Sequence, residues 1–193
     1  MKKPFFYFIL ILLFGCNANK NPKVFISTEM GDIIVELYAD KAPITSANFL
    51  QYIDSEKFKY LACFYRVVRF DNQPDSLVKI EVIQGGFATD SLIEKKQLPA
   101  IKHESTKETG ILHLDGTISM ARLEPGTASS EFFICIGDQP ELDFGGKRNP
   151  DGQGFAAFGK VIEGMDVVRK IQQLEDRDQY LIKPVFIQEI LRF

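Results

Sequence analysis

From Lys23 onward the chain alternates short apolar runs with brief polar breaks, and the period of each run predicts its structure. In "KVFISTEMGDIIVELYAD" apolar residues flank Met30-Gly31-Asp32, and Ile33, Val35 and Leu37 alternate with Ile34, Glu36 and Tyr38, the pattern of a two-stranded hairpin. The period then lengthens. "APITSANFLQYIDS" spaces Ile44, Ala47, Leu50 and Ile53 along one helical face, with Pro43 early and Thr45 and Ser46 as capping candidates. Strands are predicted for 64–68 and 79–84, on either side of "RFDNQPDS", a loop by its Asp, Asn, Pro and Ser content. The stretch 90–110 is polar and aperiodic with Pro99 inside it, which reads as a long surface excursion. "GTISMAR", "EFFICIG" and "FAAFGKVIEG" return to strand between the turn-rich "EPGTASS" and "DFGGKRNPDGQG". "GMDVVRKIQQLED" puts Met165, Val168, Ile171 and Leu174 on one face of a second helix, and "KPVFIQEILRF" closes with a strand. Many short strands, two amphipathic helices and no βαβ rhythm predict a mainly β fold, a closed antiparallel barrel with a helix over each open end.

The N-terminal residues differ in kind. Lys2 and Lys3 precede the apolar run "FFYFILILLF", which ends at Gly15-Cys16. A basic segment, an apolar segment and a small residue at a cleavage point form a secretory signal, and a run of about ten apolar residues is half of the roughly 20 that span a bilayer. "LFGC" resembles the lipobox of bacterial lipoproteins, whose Cys is acylated and becomes the new first residue. That likeness implies a signal peptide over 1–15, lipidation at Cys16, a polar tether to residue 23, and a domain over 24–193. The domain is then expected outside the cytoplasm, periplasmic and held at a membrane, because two or more acyl chains anchor stably where one binds marginally.

The bulk composition narrows the function classes. The 193 residues, 45% hydrophobic and 25% charged, suit one domain with a sizeable core. The net charge of −3 becomes more negative once Lys2 and Lys3 are removed, and no basic stripe is left to bind nucleic acid. Cys63 and Cys135 sit in apolar runs and read as small buried hydrophobes rather than a disulfide. With His103 and His113 they show no zinc spacing. Asp143-Phe144-Gly145 spells a kinase motif without its companions, and "NPDGQG" lacks the alternating ligands of a calcium loop. A hydrolase built on either His lacks a nucleophile elbow.

One residue breaks the apolar pattern. Arg66 stands within "FYRVV", and arginine is rarely buried unless it is paired or used. Either an unseen carboxylate satisfies it or it faces something that comes and goes. In chain order, "FYRVV", "IQGG", "ISMAR", "SSEFFICIG", "LD" and "FGKVIEGMDVV" resemble the cyclophilins, peptidyl-prolyl cis-trans isomerases, through essentially all of 24–193. The resemblance implies a closed eight-stranded antiparallel barrel capped by two α-helices, acting on proline-containing polypeptides as a monomer without metal or cofactor. It assigns Arg66, Gln84 and Phe133 to the catalytic centre, and it implies that Val82, Met120, Ala121, Leu142 and Phe155 bind substrate.

The chain also departs from that family. Arg122 and Glu131 stand where Asn and Gln are usual, Phe155 where a pocket His is usual, and Glu141 where many members have Trp. The segment between Arg66 and Gln84 is longer than in common members. Isomerisation of X-Pro bonds during folding of exported proteins is the expected function. The alternative is a non-catalytic module or chaperone that holds proline segments in the same groove.

Overall fold

The structure, a computed structural model, describes residues 21–193. The expected signal segment and Cys16 lie outside the described residues. The first hairpin pairs β1 (Lys23–Thr28) with β2 (Gly31–Leu37), and burial of Ile33, Val35 and Leu37 follows the predicted alternation. Pro22 already belongs to the fold, since its carbonyl accepts a hydrogen bond from the Leu37 N–H at 2.8 Å. Pro22 and Lys23, both in the stretch expected as tether, thus make contacts with the barrel.

Helix α1 (Pro43–Asp54) follows, and its buried face keeps Leu50 and Ile53 of the expected one but turns toward Phe49 and Tyr52, with a cap other than the one expected. Ile44 and Ala47 are exposed, while Phe49, Leu50, Tyr52 and Ile53 are buried. The two aromatic residues carry more apolar surface than Ile44 and Ala47, and burying them fixes the helix's rotation. Thr45 and Ser46 lie within the helix, and Ala42 at its cap offers no side-chain hydrogen bond. The free N–H groups of Ile44 and Thr45 are instead taken by the carboxylate of Glu104, at 3.2 and 2.7 Å.

Strands β3 (Cys63–Val68) and β4 (Val82–Gly86) pair across the long intervening loop. β4 is displaced from the predicted 79–84 and runs through both glycines. The expected irregular excursion contains helices α2 (Asp90–Lys96) and α3 (Thr106–Thr109). α2 is capped by the Thr89 hydroxyl, which accepts from the Leu92 N–H, and rests Leu92 and Ile93 on the core. With seven residues and two apolar contacts, α2 offers too little periodicity to read locally and depends on packing.

β5 (Thr117–Met120), β6 (Phe132–Cys135) and β7 (Ala156–Glu163) precede α4 (Met165–Gln172), which buries Val167, Val168 and Ile171. The two-residue β8 (Asp176–Arg177) lies against β9 (Tyr180–Arg192). The strand order β1-β2-β7-β5-β6-β4-β3-β9, with β9 pairing back to β1, closes an eight-stranded antiparallel barrel, and β8 is an appendage on its rim. Among the described residues, closure through β1 and β9 leaves no long sheet edge unpaired. Four helices rather than two accompany the barrel among the described residues.

An aromatic cluster fills the interior. Phe49 meets Phe132 edge-on at 5.2 Å and Phe158 at 5.3 Å, while Tyr52 stacks on Phe58 at 4.7 Å. Inside the barrel β3 contributes Phe64 and Val67, β4 Ile83, and β6 Phe132 and Ile134. The intervening residues of these strands therefore stand on the outer face of the wall.

Candidate active site

The site lies on that outer face, on neighbouring strands. In β3, Phe64 and Val67 both point inward, which a strict two-residue alternation forbids. A β-bulge between Phe64 and Arg66 absorbs the odd residue and leaves Tyr65 and Arg66 together on the outside. Across the ladder Arg66 pairs in register with Gln84, Gln84 with Phe133, and Phe133 with Ser119. Residues far apart in sequence therefore form one row across β3, β4, β6 and β5.

Arg66 is half-buried and is held by neutral groups. One terminal nitrogen donates to Oε1 of Gln84 at 2.9 Å, and the other donates to Oε1 of Gln179. Among the described residues no carboxylate forms an ion pair with it. Amide oxygens orient a guanidinium without cancelling its charge. Gln84 in turn donates from Nε2 to the Tyr65 hydroxyl at 2.6 Å, and Tyr65 donates to Oε2 of Glu131 at 2.6 Å. Burial is the main cause that raises Glu131 above the usual carboxylate range, against hydrogen bonds from Tyr65, Phe87 N–H, Ser130 and Ala88 N–H. Burial first, then the Glu131 charge, raises the Tyr65 pKa and keeps its hydroxyl protonated.

Next to the cation lies an apolar patch, separate from the barrel core, made of Val68, Ile80, Val82, Phe133, Cys135 and Leu142. Ala121 and Phe155 pack against it and are partly exposed. The fold thus brings Arg66, Gln84, Phe133, Val82, Ala121, Leu142 and Phe155 into one region. Met120 is the exception and corrects the expectation. It pairs with Phe132 across β5 and β6 and packs into the barrel core, because its place in β5 faces inward with Ile118.

The patch rests on groups that local pattern did not single out. The His113 ring stacks beneath Phe133, 5.9 Å between centroids and 14° from parallel. Its Nδ1 bonds Asp143 at 2.7 Å and its Nε2 bonds the buried Ser119 hydroxyl at 2.9 Å. A Ser, His and Asp in line resemble hydrolytic machinery, but Ser119 and His113 are sealed from solvent and support Phe133. Phe155 meets Phe133 edge-on at 5.3 Å, and Arg122 lies 5.2 Å over the Phe155 ring. Asp151 grips Arg122 with both oxygens at 2.7 and 2.9 Å, and that bond holds the Asp151 carboxyl below its usual range. The "NPDGQG" turn therefore braces a wall of the site.

The long loop between β3 and β4 is pinned at both ends. Arg69 bonds Asp176 and the Gln172 carbonyl, and Arg148 donates to Ser76 Oγ and the Val78 carbonyl, both at 2.6 Å. Burial, then the charge of Arg66, lowers the Arg148 pKa. Cys63 and Cys135 are both free and buried.

Residues 23–191 match the family described as cyclophilin type peptidyl-prolyl cis-trans isomerase/CLD. A peptidyl-prolyl cis-trans isomerase of Acinetobacter baylyi is 38% identical over 161 residues, 83% of this chain and 77% of that protein. Peptidyl-prolyl cis-trans isomerase B of Escherichia coli is 36% identical over 146 residues, 75% of this chain and 80% of that one. Among solved structures, a cyclophilin type peptidyl-prolyl cis-trans isomerase of Cryptosporidium parvum is similar with a TM-score of 0.71 at 22% identity, covering 90% of this chain and 98% of that one. A structure of the same protein in the presence of the dipeptide Ala-Pro has a TM-score of 0.69 at 23% identity, covering 88% of this chain and 97% of that one.

Proposed function

The chain belongs to the cyclophilin-type peptidyl-prolyl cis-trans isomerases, and on that premise we propose that Arg66 is the group that drives the isomerisation. Resonance gives the peptide bond partial double-bond character, with a rotation barrier of about 18–20 kcal/mol, and X-Pro bonds turn over in tens to hundreds of seconds unaided. Twisting the bond breaks that resonance and localises a lone pair on the prolyl nitrogen. A guanidinium donating to this lone pair stabilises the twisted state over either planar one, which is catalysis by differential binding. No covalent bond breaks, so no nucleophile is required.

The observation that carries the reading is the uncancelled charge of Arg66, oriented by the amide oxygens of Gln84 and Gln179 and adjacent to the Phe133 patch. In this reading Gln84 binds the substrate backbone. Phe133, Val82, Leu142, Ala121 and Phe155 receive the pyrrolidine ring of a proline-containing polypeptide. Arg66→Ala should lower kcat/KM on a short X-Pro peptide roughly 100- to 1,000-fold, the cost of removing one well-placed donor. Exchange NMR measures this directly, and a wild-type rate in a folded variant sinks the assignment.

The basic and apolar N-terminal segment ending at Cys16 supports an exported, lipid-anchored isomerase acting on newly exported chains. Among the described residues no helix is long and apolar enough to cross a membrane.

A further inference from the structure

We propose that Glu131 is a positioning residue for the reaction: through Tyr65 it fixes which way the Gln84 amide faces, and so keeps an acceptor on Arg66. The inference rests on the assignment of Arg66 made above. Its basis is the direction of a hydrogen-bond chain whose two ends admit no choice. A guanidinium only donates, and an ionised carboxylate only accepts.

Between them stand two groups that can do either. Tyr65 OH lies 2.6 Å from Glu131 Oε2, so beside a carboxylate it must donate there. Its lone pairs then face Gln84, which presents its NH2 at 2.6 Å. That leaves the Gln84 carbonyl for Arg66 at 2.9 Å. A protonated or amidated residue 131 removes this constraint. A donor at 131 lets Tyr65 donate to Gln84 instead, the amide turns over, and its NH2 meets the guanidinium donor to donor. Arg66 then loses one of the two oxygens that aim it.

Donors around Glu131 offset part of what burial costs its charge. Its other oxygen accepts from the Phe87 N–H at 2.9 Å and from Ser130 Oγ at 3.0 Å. Gly86 makes room for it, because a Cβ there would lie 2.4 Å from both carboxylate oxygens. The titratable groups that face it are Tyr65 and Cys63, both on β3, and burial and the Glu131 charge push the Cys63 thiol up to about 11. Both neighbours stay neutral through the range in which Glu131 titrates. Since its pKa is raised from the ordinary 4.5, the acid form becomes populated at a higher pH than in a free carboxyl.

The test is kcat/KM for an X-Pro peptide by exchange NMR from roughly pH 4 to 8, for the wild type, Glu131→Gln, Tyr65→Phe and Arg66→Ala. The wild type should lose activity on the acid side with a midpoint above 4.5, the usual value for the carboxyl. Glu131→Gln should be about three- to tenfold slower at neutral pH, the scale of one hydrogen bond, and should lack that acid limb. Tyr65→Phe, which keeps the carboxylate but cuts the chain, should lack it too.

Stability should move the other way. A carboxyl whose pKa is raised by folding contributes stability that is complete below its unfolded value and is lost as pH rises through the folded one. Acidification through the Glu131 range should therefore raise the wild-type Tm relative to Glu131→Gln while activity falls, whereas a purely structural role moves both down together. An acid limb unchanged in Tyr65→Phe, or a wild-type profile without one, overturns the inference. If Glu131→Gln does not fold, Tyr65→Phe carries the test alone. An active Arg66→Ala would remove the site assignment itself, whereas an inactive Arg66→Ala beside a wild-type acid limb in Tyr65→Phe removes only the role of Glu131.

Discussion

At Gly86 the backbone takes φ +140°, a conformation that side chains rarely adopt, and a Cβ there would collide with the Glu131 carboxylate. Two independent reasons therefore require glycine, and the Gln-Gly-Gly run is more than a turn. Gly86→Ala should cost about 1–3 kcal/mol in backbone strain, and it should slow isomerisation by pushing Glu131 away from Tyr65. Denaturant melts together with kcat/KM check this, and an unshifted melting curve would contradict it. Gly85 is tight for another reason. A Cβ there meets Phe64 at 3.0 Å and Phe132 at 3.1 Å, both core side chains. The neighbouring glycines thus serve different faces of the same strand, one the interior and one the site.

Among the elements, α1 shows how a local signal misleads. Its N-terminal N–H groups need acceptors, and Thr45 and Ser46 are residue types that supply them at an N-cap. The chain enters the helix too early for that, at Pro43, and the acceptor comes from Glu104, 59 positions beyond Thr45. The carboxylate also lies at the positive end of the helix dipole, and it takes the Thr45 hydroxyl at 2.7 Å. Glu104→Ala leaves these donors buried without partners, and a loss of about 1–3 kcal/mol is expected. Thermal unfolding measures it, and a loss below the scatter of the melts would show that water replaces the carboxylate. The same contact ties α1 to the 90–110 excursion.

For the molecule as a whole, ring closure sets the relation between β1 and the site. In the strand order, β1 stands four strands from β6 whichever way round the barrel is followed. Phe133 on β6 therefore occupies the wall opposite the strand that leads to Pro22 and the N-terminal segment. An anchor at Cys16 would join the barrel through β1, with Phe133 on the far wall and Arg66 two strands away. Labelled palmitate should enter the full-length protein in a bacterial host, and Cys16→Ala should abolish the label and release the protein to the soluble fraction. Undiminished labelling of Cys16→Ala would remove the lipid-anchored reading and leave the isomerase itself untouched.

Local apolar patterning was enough to place the β2 hairpin, the "FFIC" strand and α4, because a two-residue or 3.6-residue period, or a short unbroken apolar run, is written in neighbours a few positions apart. The family motifs supplied Arg66, Gln84 and Phe133 on the same local terms, but not the partners that hold them. Gln179 lies 113 positions from Arg66, and Glu131 lies 66 from Tyr65. No spacing announces such pairs. The inward turn of Met120, the rotation of α1 and the buried support of His113 likewise depend on which surfaces meet when the barrel closes. Local periodicity determined most of the strands together with α1 and α4. Only the tertiary structure decided which buried polar groups complete one another, since an unpaired donor or acceptor is costly wherever its partner lies along the chain.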